Sequence, residues 1–522
     1  MTAIKRFAFL IALFLLFLSS SFAREVVPEL TPAQKEADFI YLTGLMRDLY
    51  PFAEFNVQYK KLHNIIALDQ DYINRAKKTK NNIEFYRVFR EYLFELAKTG
   101  HAYVHPPEVV KGMDNPETRQ ALGLKGDIYS KALYWSTIEQ GLFVDWFAHT
   151  PIDILYRDGN YVIMNEVTLS GKTLQAGTVI QKVEGLSPDE YVLSLQNKTW
   201  LAFDAKNRKL YLPDLFVVNP GAKKKGWKVS FRLPNGKIFS GLVPKFSGAK
   251  QHLVFGYYPN AYCQELDAEV GYLKISSFSG EFLSKDWEAI QKFINDSQGK
   301  YRKLIIDVRN NGGGDPINWM DNLIAPLLKS AITYEETALI RKPLFDGTQE
   351  KNKIYLEQLR IYLEQRLELI SEKYHVMSVE ELSELPGFSK DDWLFFKVTR
   401  KIEPKNSLPF NGQIYLMTNQ DCFSATEDFA TAVKRTGFAK IVGTNTSGGA
   451  ASFVAPVTFA LPESNIVFRM EAEATLNPDG TPNEIFGTAP DVWLQPALPA
   501  TDYKKETLLQ DPWIKWILAD QL

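Results

Sequence analysis

Two segments of the sequence contain residue types that could perform nucleophilic chemistry. In the first, a predicted buried strand from Lys303 to Val308 is followed by polar residues and three consecutive glycines, Gly312, Gly313 and Gly314. Consecutive glycines permit positive φ angles and let a ligand approach backbone amides closely, as anion binding requires. The segment is therefore a candidate oxyanion hole, and a plain tight turn is the alternative. A phosphate-binding loop is disfavoured because no Gly-Lys-Ser or Gly-Lys-Thr follows.

The second segment, from Tyr415 to Phe429, is predicted to run from a strand through a loop into a helix. Ser424 then falls at the helix N-terminus, where free amides and the helix dipole stabilise a developing negative charge. Ser424 is a candidate nucleophile, and a plain helix N-cap is the alternative. Cys422 is a second candidate, but no histidine adjoins it in sequence, and a buried thiol is the alternative interpretation.

A nucleophilic serine needs a base to remove its proton, and a neutral imidazole suits this role at neutral pH. His101 follows a helical pattern in which apolar residues recur at intervals of three and four between Ile83 and Leu96. A turn at Gly100 and a short extended segment then predict a fixed junction at His101. His105 is a second candidate base, with a packing or surface role as its alternative.

Strand patterns punctuated by glycine and asparagine dominate from about Gly123 to Lys250. Part of this region, from Leu174 to Ile180, precedes Val183-Glu184-Gly185 and an apolar helical stretch, and it loosely resembles a PDZ domain. Such domains bind an extended peptide as an added strand. A plain β-barrel subdomain is the alternative interpretation.

From Glu269 onward, predicted strands alternate with predicted helices. This alternation predicts an α/β core with a mostly parallel sheet. Within it, a charged stretch from Glu350 to Lys373 has a helical pattern with a wide polar face. We interpret residues 341–410 as an insertion that caps the core, and a solvated helical arm is the alternative.

Three motifs then occur in a characteristic order. Residues 305–313 read Ile-Ile-Asp-Val-Arg-Asn-Asn-Gly-Gly, residues 424–427 read Ser-Ala-Thr-Glu, and residues 441–449 read Ile-Val-Gly-Thr-Asn-Thr-Ser-Gly-Gly. Together they resemble the tail-specific (C-terminal processing) serine peptidase family. The resemblance covers about residues 31–495, and it implies a helical N-terminal part, a PDZ domain and a core of crotonase-like topology.

One branch of that family uses a Ser-Lys dyad, with the lysine in the segment that here spans Ile441 to Gly449 and contains no lysine. The sequence is more similar to the branch represented by the tricorn core protease, which uses Ser, His and Glu. This resemblance implies Ser424 as nucleophile, His101 as general base and Glu484 as the orienting carboxylate, directly or through an intermediate group.

The sequence departs from the tricorn protease at the residue before His101. In the tricorn protease a serine immediately before the histidine links it to the carboxylate, and Gly100 occupies that position here. The expected oxyanion donors are the Ala425 amide and the amide of Gly312 or Gly313, with Gly312 slightly preferred.

The N-terminus is predicted to be a signal peptide, residues 1–23. Lys5 and Arg6 precede an apolar run from Phe7 to Leu18, and Ser21-Phe22-Ala23 then places small residues at the spacing of an A-x-A cleavage site. The run is short compared with the roughly 20 apolar residues that span a bilayer. We therefore expect a periplasmic or extracellular protein without a stable membrane anchor. The predicted domains are 24–122, helical and carrying His101; 123–250, PDZ-like; and 255–522, the α/β peptidase core.

Net charge, cysteine count and histidine spacing limit which ligands and partners the chain is expected to bind. A formal net charge of −2 gives no general attraction to nucleic acid. The two cysteines, Cys263 and Cys422, are too few for a disulfide framework, and we expect them to be free. His101 and His105 have the spacing of a metal pair, but that spacing converges on one ion only in a helix. We expect no metal and no cofactor.

The sequence thus predicts an exported serine peptidase that cleaves peptides or unfolded polypeptides by acyl transfer. The alternative is a non-catalytic protein on the same fold that binds a peptide or an apolar ligand, since retinoid-binding repeats resemble this family too. The oligomeric state and the natural substrate do not follow from the sequence.

Overall fold

The structure of the chain is a computed structural model. It describes residues 27–52, 64–96, 101–106, 109–110, 128–139, 146–148, 150–218, 225–246, 249–250, 260–341, 374–376, 393–405, 409–450, 456–497 and 502–521. The predicted signal peptide, Gly100 and the charged stretch from Glu350 to Lys373 lie outside the described residues.

Helices form the N-terminal region. Thr31 begins the first with a capping box, in which its hydroxyl accepts from the Gln34 amide and the Gln34 side chain accepts from the Thr31 amide. The aromatic face of the third helix, with Tyr86, Phe89 and Tyr92, is fully buried. The elements are α1 (Pro32–Leu49), α2 (Ile65–Lys77), α3 (Asn82–Leu96) and the short strand β1 (Tyr103–Val104).

The middle of the chain is mostly β. Its strands are β2 (Trp146–Ala148), β3 (Ile154–Arg157), β4 (Asn160–Ile163), β5 (Val167–Leu169), β6 (Lys172–Leu174), β7 (Val179–Val183), β8 (Ala202–Asp204), β9 (Lys209–Tyr211), β10 (Val217–Val218), β11 (Gly226–Arg232), β12 (Ile238–Pro244) and β13 (Ala249–Lys250). Its helices are α4 (Ile128–Ile138) and α5 (Pro188–Leu193).

Five of these strands form one antiparallel sheet in the order β12-β11-β7-β4-β3. A turn at Pro234-Asn235-Gly236 joins β11 to β12, and Gly236 supplies the positive φ of 81° that this turn requires. The hairpin β8–β9 stands apart from this sheet as a separate two-stranded pair. The mostly β character is observed, and the assignment of this region as a PDZ domain stays a prediction.

The rest of the chain contains strands and helices in alternation. The strands are β14 (Ala261–Asp267), β15 (Val270–Ile275), β16 (Lys303–Asp307), β17 (Ile332–Arg341), β18 (Tyr374–Val376), β19 (Trp393–Ile402), β20 (Gln413–Thr418), β21 (Lys440–Gly443), β22 (Val457–Ala460), β23 (Val467–Met470), β24 (Glu473–Leu476) and β25 (Val492–Trp493). The helices are α6 (Gly280–Ser297), α7 (Pro316–Trp319), a π-helical turn (Met320–Ile324), α8 (Ala325–Leu327), α9 (Ala425–Thr436), α10 (Asn483–Phe486), α11 (Lys505–Leu508) and α12 (Pro512–Ala519).

The central sheet has the order β14-β15-β16-β20-β21-β25, and its neighbours are parallel except for the β14–β15 pair. Every residue of β15 and β16 is buried, as is typical of parallel strands covered on both faces. Because β16 and β20 run parallel, with Asp307 opposite Met417, the loops that follow them leave the same edge of the sheet. This register brings the glycine segment and the Ser424 segment together.

A second sheet, β18-β19-β17-β24, is antiparallel, and β17 and β19 pair over ten residues each. A third small sheet consists of β1, β23 and β22, with Tyr103 opposite Arg469 and Val104 opposite Phe468. This third sheet connects the N-terminal region to the core, because β1 begins two residues after His101. The mixture of sheets and helices predicted for the core is confirmed, and the domain boundaries stay predictions.

Candidate active site

Ser424 lies in the loop between β20 and α9, immediately before the first residue of the helix, as predicted. Its φ of 59° and ψ of −127° are unusual for a residue other than glycine. Such strained backbone geometry concentrates at functional sites. Among the described residues, its hydroxyl caps no backbone amide of the helix. The structure therefore disfavours the interpretation of Ser424 as a plain N-cap.

The hydroxyl instead faces an imidazole. His101 Nε2 lies 3.2 Å from Ser424 Oγ, and the ring is buried, with 6% of the residue exposed. The ring of Phe423 packs against the imidazole at a centroid distance of 4.4 Å. The structure thus brings two of the predicted site residues together at the hydrogen-bonding distance that a general base requires.

The carboxylate nearest to His101 is Glu471, which the sequence analysis did not single out. Its Oε1 lies 2.5 Å from His101 Nδ1. Glu471 follows β23, and pairing of β23 with β1 places it beside His101. The local pattern offered little signal, because Arg469, Glu471 and Glu473 alternate with apolar residues, a pattern in which charged residues usually face solvent.

The predicted carboxylate, Glu484, lies on α10, and the described hydrogen bond of His101 Nδ1 is to Glu471 instead. The Glu484 carboxylate lies close to both groups, with potential ligand atoms of His101, Glu471 and Glu484 all within 4.8 Å of one another, and its charge acts on His101. Both glutamates are at most 3% exposed. The arrangement agrees with an orienting carboxylate that acts through an intermediate group, with Glu471 in that intermediate position.

Burial controls the protonation of this site. Desolvation lowers the pKa of His101 to about 4, with Glu484 opposing and Arg469 reinforcing the shift. Desolvation also raises the pKa of Glu471 to about 8, reinforced by the charge of Glu473. At neutral pH the imidazole is therefore neutral and able to accept a proton, while the two buried carboxyl groups do not both carry a full negative charge.

The glycine segment contacts the loop of Ser424. Within the described residues, the amides of Gly312 and Ala425 have no hydrogen-bond acceptor, whereas the Gly313 amide donates to Asn311 Oδ1 at 2.9 Å. Two free amides near the nucleophile are what an oxyanion hole requires. The hydrogen bonding therefore supports Gly312 over Gly313 as the second donor, beside Ala425.

Gly313 has a different role, which a matched pair of variants tests. A Cβ at Gly313 would lie 2.7 Å from both Phe423 O and Ser424 Cβ, and its φ is 103°, whereas a Cβ at Gly312 meets nothing within 4 Å. We expect Gly313→Ala to lower kcat/KM at least about a hundredfold, because displacement of the nucleophile is costly. Gly312→Ala keeps its amide and should stay within a few-fold of the wild type. Peptide hydrolysis with both folded variants checks this, and equal losses would contradict it.

A buried network of charged side chains holds the end of β16, from which the glycine segment starts. Arg309 donates from Nε and Nη2 to Asp307 and also pairs with Asp511. Burial favours the neutral acid, but the charges of Arg309 and Lys274 hold the pKa of Asp307 well below its usual range. The Asp-Val-Arg part of the motif therefore fixes the strand end from which the glycines start.

Glu427, three residues after Ser424, connects the loops around the site. Its fully buried carboxylate accepts from Asn483 Nδ2 at 2.7 Å, from Thr488 Oγ1 at 2.5 Å and from the Gly448 amide at 3.2 Å. The Ser424 amide in turn donates to the Gly448 carbonyl at 3.3 Å. Glu427 thus links the first turn of α9 to the segment that carries Glu484.

The alternative nucleophile and base have other contacts. The Cys422 thiol is buried, donates to the Val308 carbonyl at 3.1 Å, and has its pKa raised to about 12 by desolvation. Cys263 and Cys422 are both free thiols. His105 Nε2 contacts Thr458 Oγ1 at 2.9 Å, away from Ser424. Neither Cys422 nor His105 has the geometry of a catalytic group.

Within the described residues, one group of three side chains could hold a metal ion: His101, Glu471 and Glu484, whose potential ligand atoms all lie within 4.8 Å of one another. In this arrangement, however, His101 Nδ1 already bonds to Glu471. A metal there would have to replace the hydrogen bond that orients the imidazole.

Comparisons with known proteins concern the family and the fold of the chain. Residues 269–494 match the family model of peptidase family S41. Mature CPAF has a similar structure, with a TM-score of 0.51 and 15% identity over 89% of this chain and 93% of that one. A CPAF mutant gives a TM-score of 0.53 and 16% identity over 94% and 99%. The photosystem II D1 C-terminal processing protease gives a TM-score of 0.38 and 13% identity over 90% and 95%. No curated protein sequence matches the chain.

At such identities the likeness to CPAF concerns the fold alone, and the family match carries the identification. The chain is a serine-type peptidase. Its residues 269–494 belong to peptidase family S41, and the predicted relationship to the tail-specific peptidases is confirmed. Its substrates are therefore peptides or polypeptides, and the alternative of a non-catalytic binding protein is set aside.

Proposed function

We propose that the chain is an exported serine peptidase that cleaves peptides or unfolded polypeptides, with Ser424 as nucleophile and His101 as general base. The observation that carries the proposal is a pair of contacts made by the two ring nitrogens of His101. Nε2 lies 3.2 Å from Ser424 Oγ, and Nδ1 lies 2.5 Å from Glu471 Oε1. A nucleophile, a base and an orienting group in this order define the chemistry of a catalytic triad on any fold.

In the acylation step, Ser424 Oγ attacks the carbonyl carbon of the scissile peptide, and its proton passes to His101 Nε2. The carbonyl oxygen becomes an oxyanion, which the amides of Gly312 and Ala425 stabilise. His101 then gives the proton to the leaving amine, the C–N bond breaks, and an ester with Ser424 remains. Water, activated by the same imidazole, hydrolyses the ester.

Glu471 keeps the His101 proton on Nδ1, so that Nε2 presents its lone pair to Ser424. When the imidazole becomes charged, the negative charge of the Glu471–Glu484 pair stabilises it. Glu484 therefore contributes through Glu471 rather than by direct contact. In this proposal two carboxylates do what one does in a simple triad: Glu471 orients the imidazole, and Glu484 adds negative charge.

Export is the part of the proposal that rests on residues 1–23 alone. A basic start, a short apolar run and small residues at Ser21 and Ala23 favour a cleaved signal peptide. In the described part of the chain, no helix is both long and apolar enough to cross a membrane.

A fluorophosphonate probe tests the proposed nucleophile. We expect a covalent adduct at Ser424, because the phosphonyl oxygen occupies the oxyanion site while His101 removes the hydroxyl proton. Mass spectrometry should place the adduct on the peptide containing Ser424, and Ser424→Ala should abolish it. The intact mass of the full-length gene product from a secreting host also tells whether the mature chain begins at Arg24.

Hydrolysis of a varied peptide library accompanies the labelling. Folded wild-type protein that neither reacts with the probe nor cleaves any peptide would contradict the proposed catalytic role of Ser424. An adduct at Cys422 or at another serine would contradict the site, while leaving the family membership intact.

A further inference from the structure

The helix that carries Glu484 is too short to be stable alone. α10 spans only Asn483–Phe486, and an isolated helix needs roughly 12 residues or more to form in water. Its position must therefore come from tertiary contacts. On the core side, Asn483 donates to Glu427, and Asn445 Nδ2 donates to the Phe486 carbonyl at 3.1 Å.

On its other side, α10 contacts the mostly β region. The ring of Phe203, in β8, meets the ring of Phe486 edge to face, with a centroid distance of 5.5 Å and an interplanar angle of 90°. The guanidinium of Arg208, in the turn of the same hairpin, lies 5.5 Å from the Phe486 ring centroid. Only 8% of Phe203 is exposed, so its ring is buried where it meets Phe486.

The hairpin itself is anchored independently. Tyr156 stacks on Tyr211 at 4.2 Å and donates to Asp204 at 2.6 Å, and Lys206 pairs with Asp158. These contacts fix β8 and β9 to strand β3 and its turn. The Phe203 ring is therefore presented to α10 from a rigid support rather than from a mobile loop.

We propose that Phe203 and Arg208 are positioning residues for the peptidase reaction: by holding Phe486, they fix α10 and thereby the Glu484 carboxyl against Glu471. This inference rests on the proposed function of the Ser424 site. It makes the hairpin β8–β9 part of the support of the catalytic centre, in addition to any role that the β region has in peptide binding.

The first test measures the support directly. The amides of Ile485, Phe486 and Gly487 all donate within α10 or its caps, so their hydrogen exchange reports opening of this helix. In the full chain, Phe203→Ala and Arg208→Ala should accelerate exchange of this segment, Phe203→Ala by about tenfold or more. Phe239→Ala is the matched control, because Phe239 packs on Phe231 within the same β region. Exchange unchanged by Phe203→Ala would overturn the proposal.

The second test asks whether the support serves catalysis. Phe203→Ala should lower kcat/KM and the labelling rate of Ser424 roughly tenfold, mainly through kcat, while Phe203→Leu recovers part of the loss and Phe239→Ala has little effect. In a Glu484→Gln background, Phe203→Ala should cause almost no further loss, because both changes remove the same contribution. Additive losses would overturn the positioning role.

The two tests separate this inference from the proposed function. Wild-type protein that is not labelled at Ser424 contradicts the proposed function, whatever the exchange result. Accelerated exchange with unchanged catalysis in Phe203→Ala leaves the proposed function standing and overturns the positioning role. Accelerated exchange together with the non-additive loss of kcat supports both.

Discussion

Replacing His101 with alanine lowers kcat/KM for peptide hydrolysis at least about a hundredfold, because no other base contacts Ser424 Oγ among the described residues. His105→Ala is the matched control. His105 is a buried histidine four residues away, and burial lowers its pKa to about 4 as well. Loss of activity in His105→Ala with retention in His101→Ala would reverse the assignment.

The pH dependence follows from the same residue. An imidazolium cannot accept a proton, so the wild-type kcat/KM should stay level from neutral pH downward and fall as the pH drops through about 4. The residual activity of His101→Ala should lack this decline. Because His101 and His105 have similar pKa values, only the variants distinguish them. Circular dichroism at each pH establishes that the protein is folded.

Replacing Glu471 with glutamine lowers kcat on the order of a thousandfold, the second large effect that we expect. With a pKa of about 8, Glu471 can lose its proton when the imidazole becomes charged, whereas glutamine cannot carry a charge. The glutamine amide can also donate to Nδ1, which favours the imidazole tautomer that cannot take the Ser424 proton. Glu484→Gln should cost less, roughly tenfold, because Glu471 still accepts from His101. The measurement is steady-state kinetics on one short peptide.

Glu473→Gln provides the control, since Glu473 is equally buried and lies two residues from Glu471, with Thr475 donating to its carboxylate. Its kcat should change little. A large loss for Glu484→Gln with near-normal activity for Glu471→Gln would show that Glu484 is the orienting carboxylate, as the family resemblance alone implied.

Local patterns in the sequence were sufficient to place Ser424, the proposed nucleophile, between a strand and a helix. A strand, a loop and an apolar helix pattern follow one another around Ser424, and the helix begins at Ala425. The glycine segment could also be predicted, because three consecutive glycines after a buried strand indicate a loop with unusual backbone angles. The parallel register of β16 and β20 then accounts for their meeting.

Glu471 could not be selected in the same way. Its position depends on the pairing of β1 with β23, and β1 is only two residues long, too short to have a periodic pattern. Which of the two buried carboxylates, Glu471 or Glu484, lies next to His101 Nδ1 also depends on how their side chains pack. The position of the carboxylate that contacts His101 is therefore set by tertiary packing, which cannot be read from a local sequence pattern.

The pairing of β1 with β23 also has a consequence for the order in which the protein becomes active. His101 is separated from Ser424 by 323 positions and from Glu471 by 370. During synthesis, His101 therefore emerges long before Ser424 and Glu471 exist, and contacts of such high sequence separation form slowly. In a nascent chain, Ser424, His101 and Glu471 are not yet in contact, so the proposed activity stays latent towards the chain's own unfolded polypeptide until these contacts form.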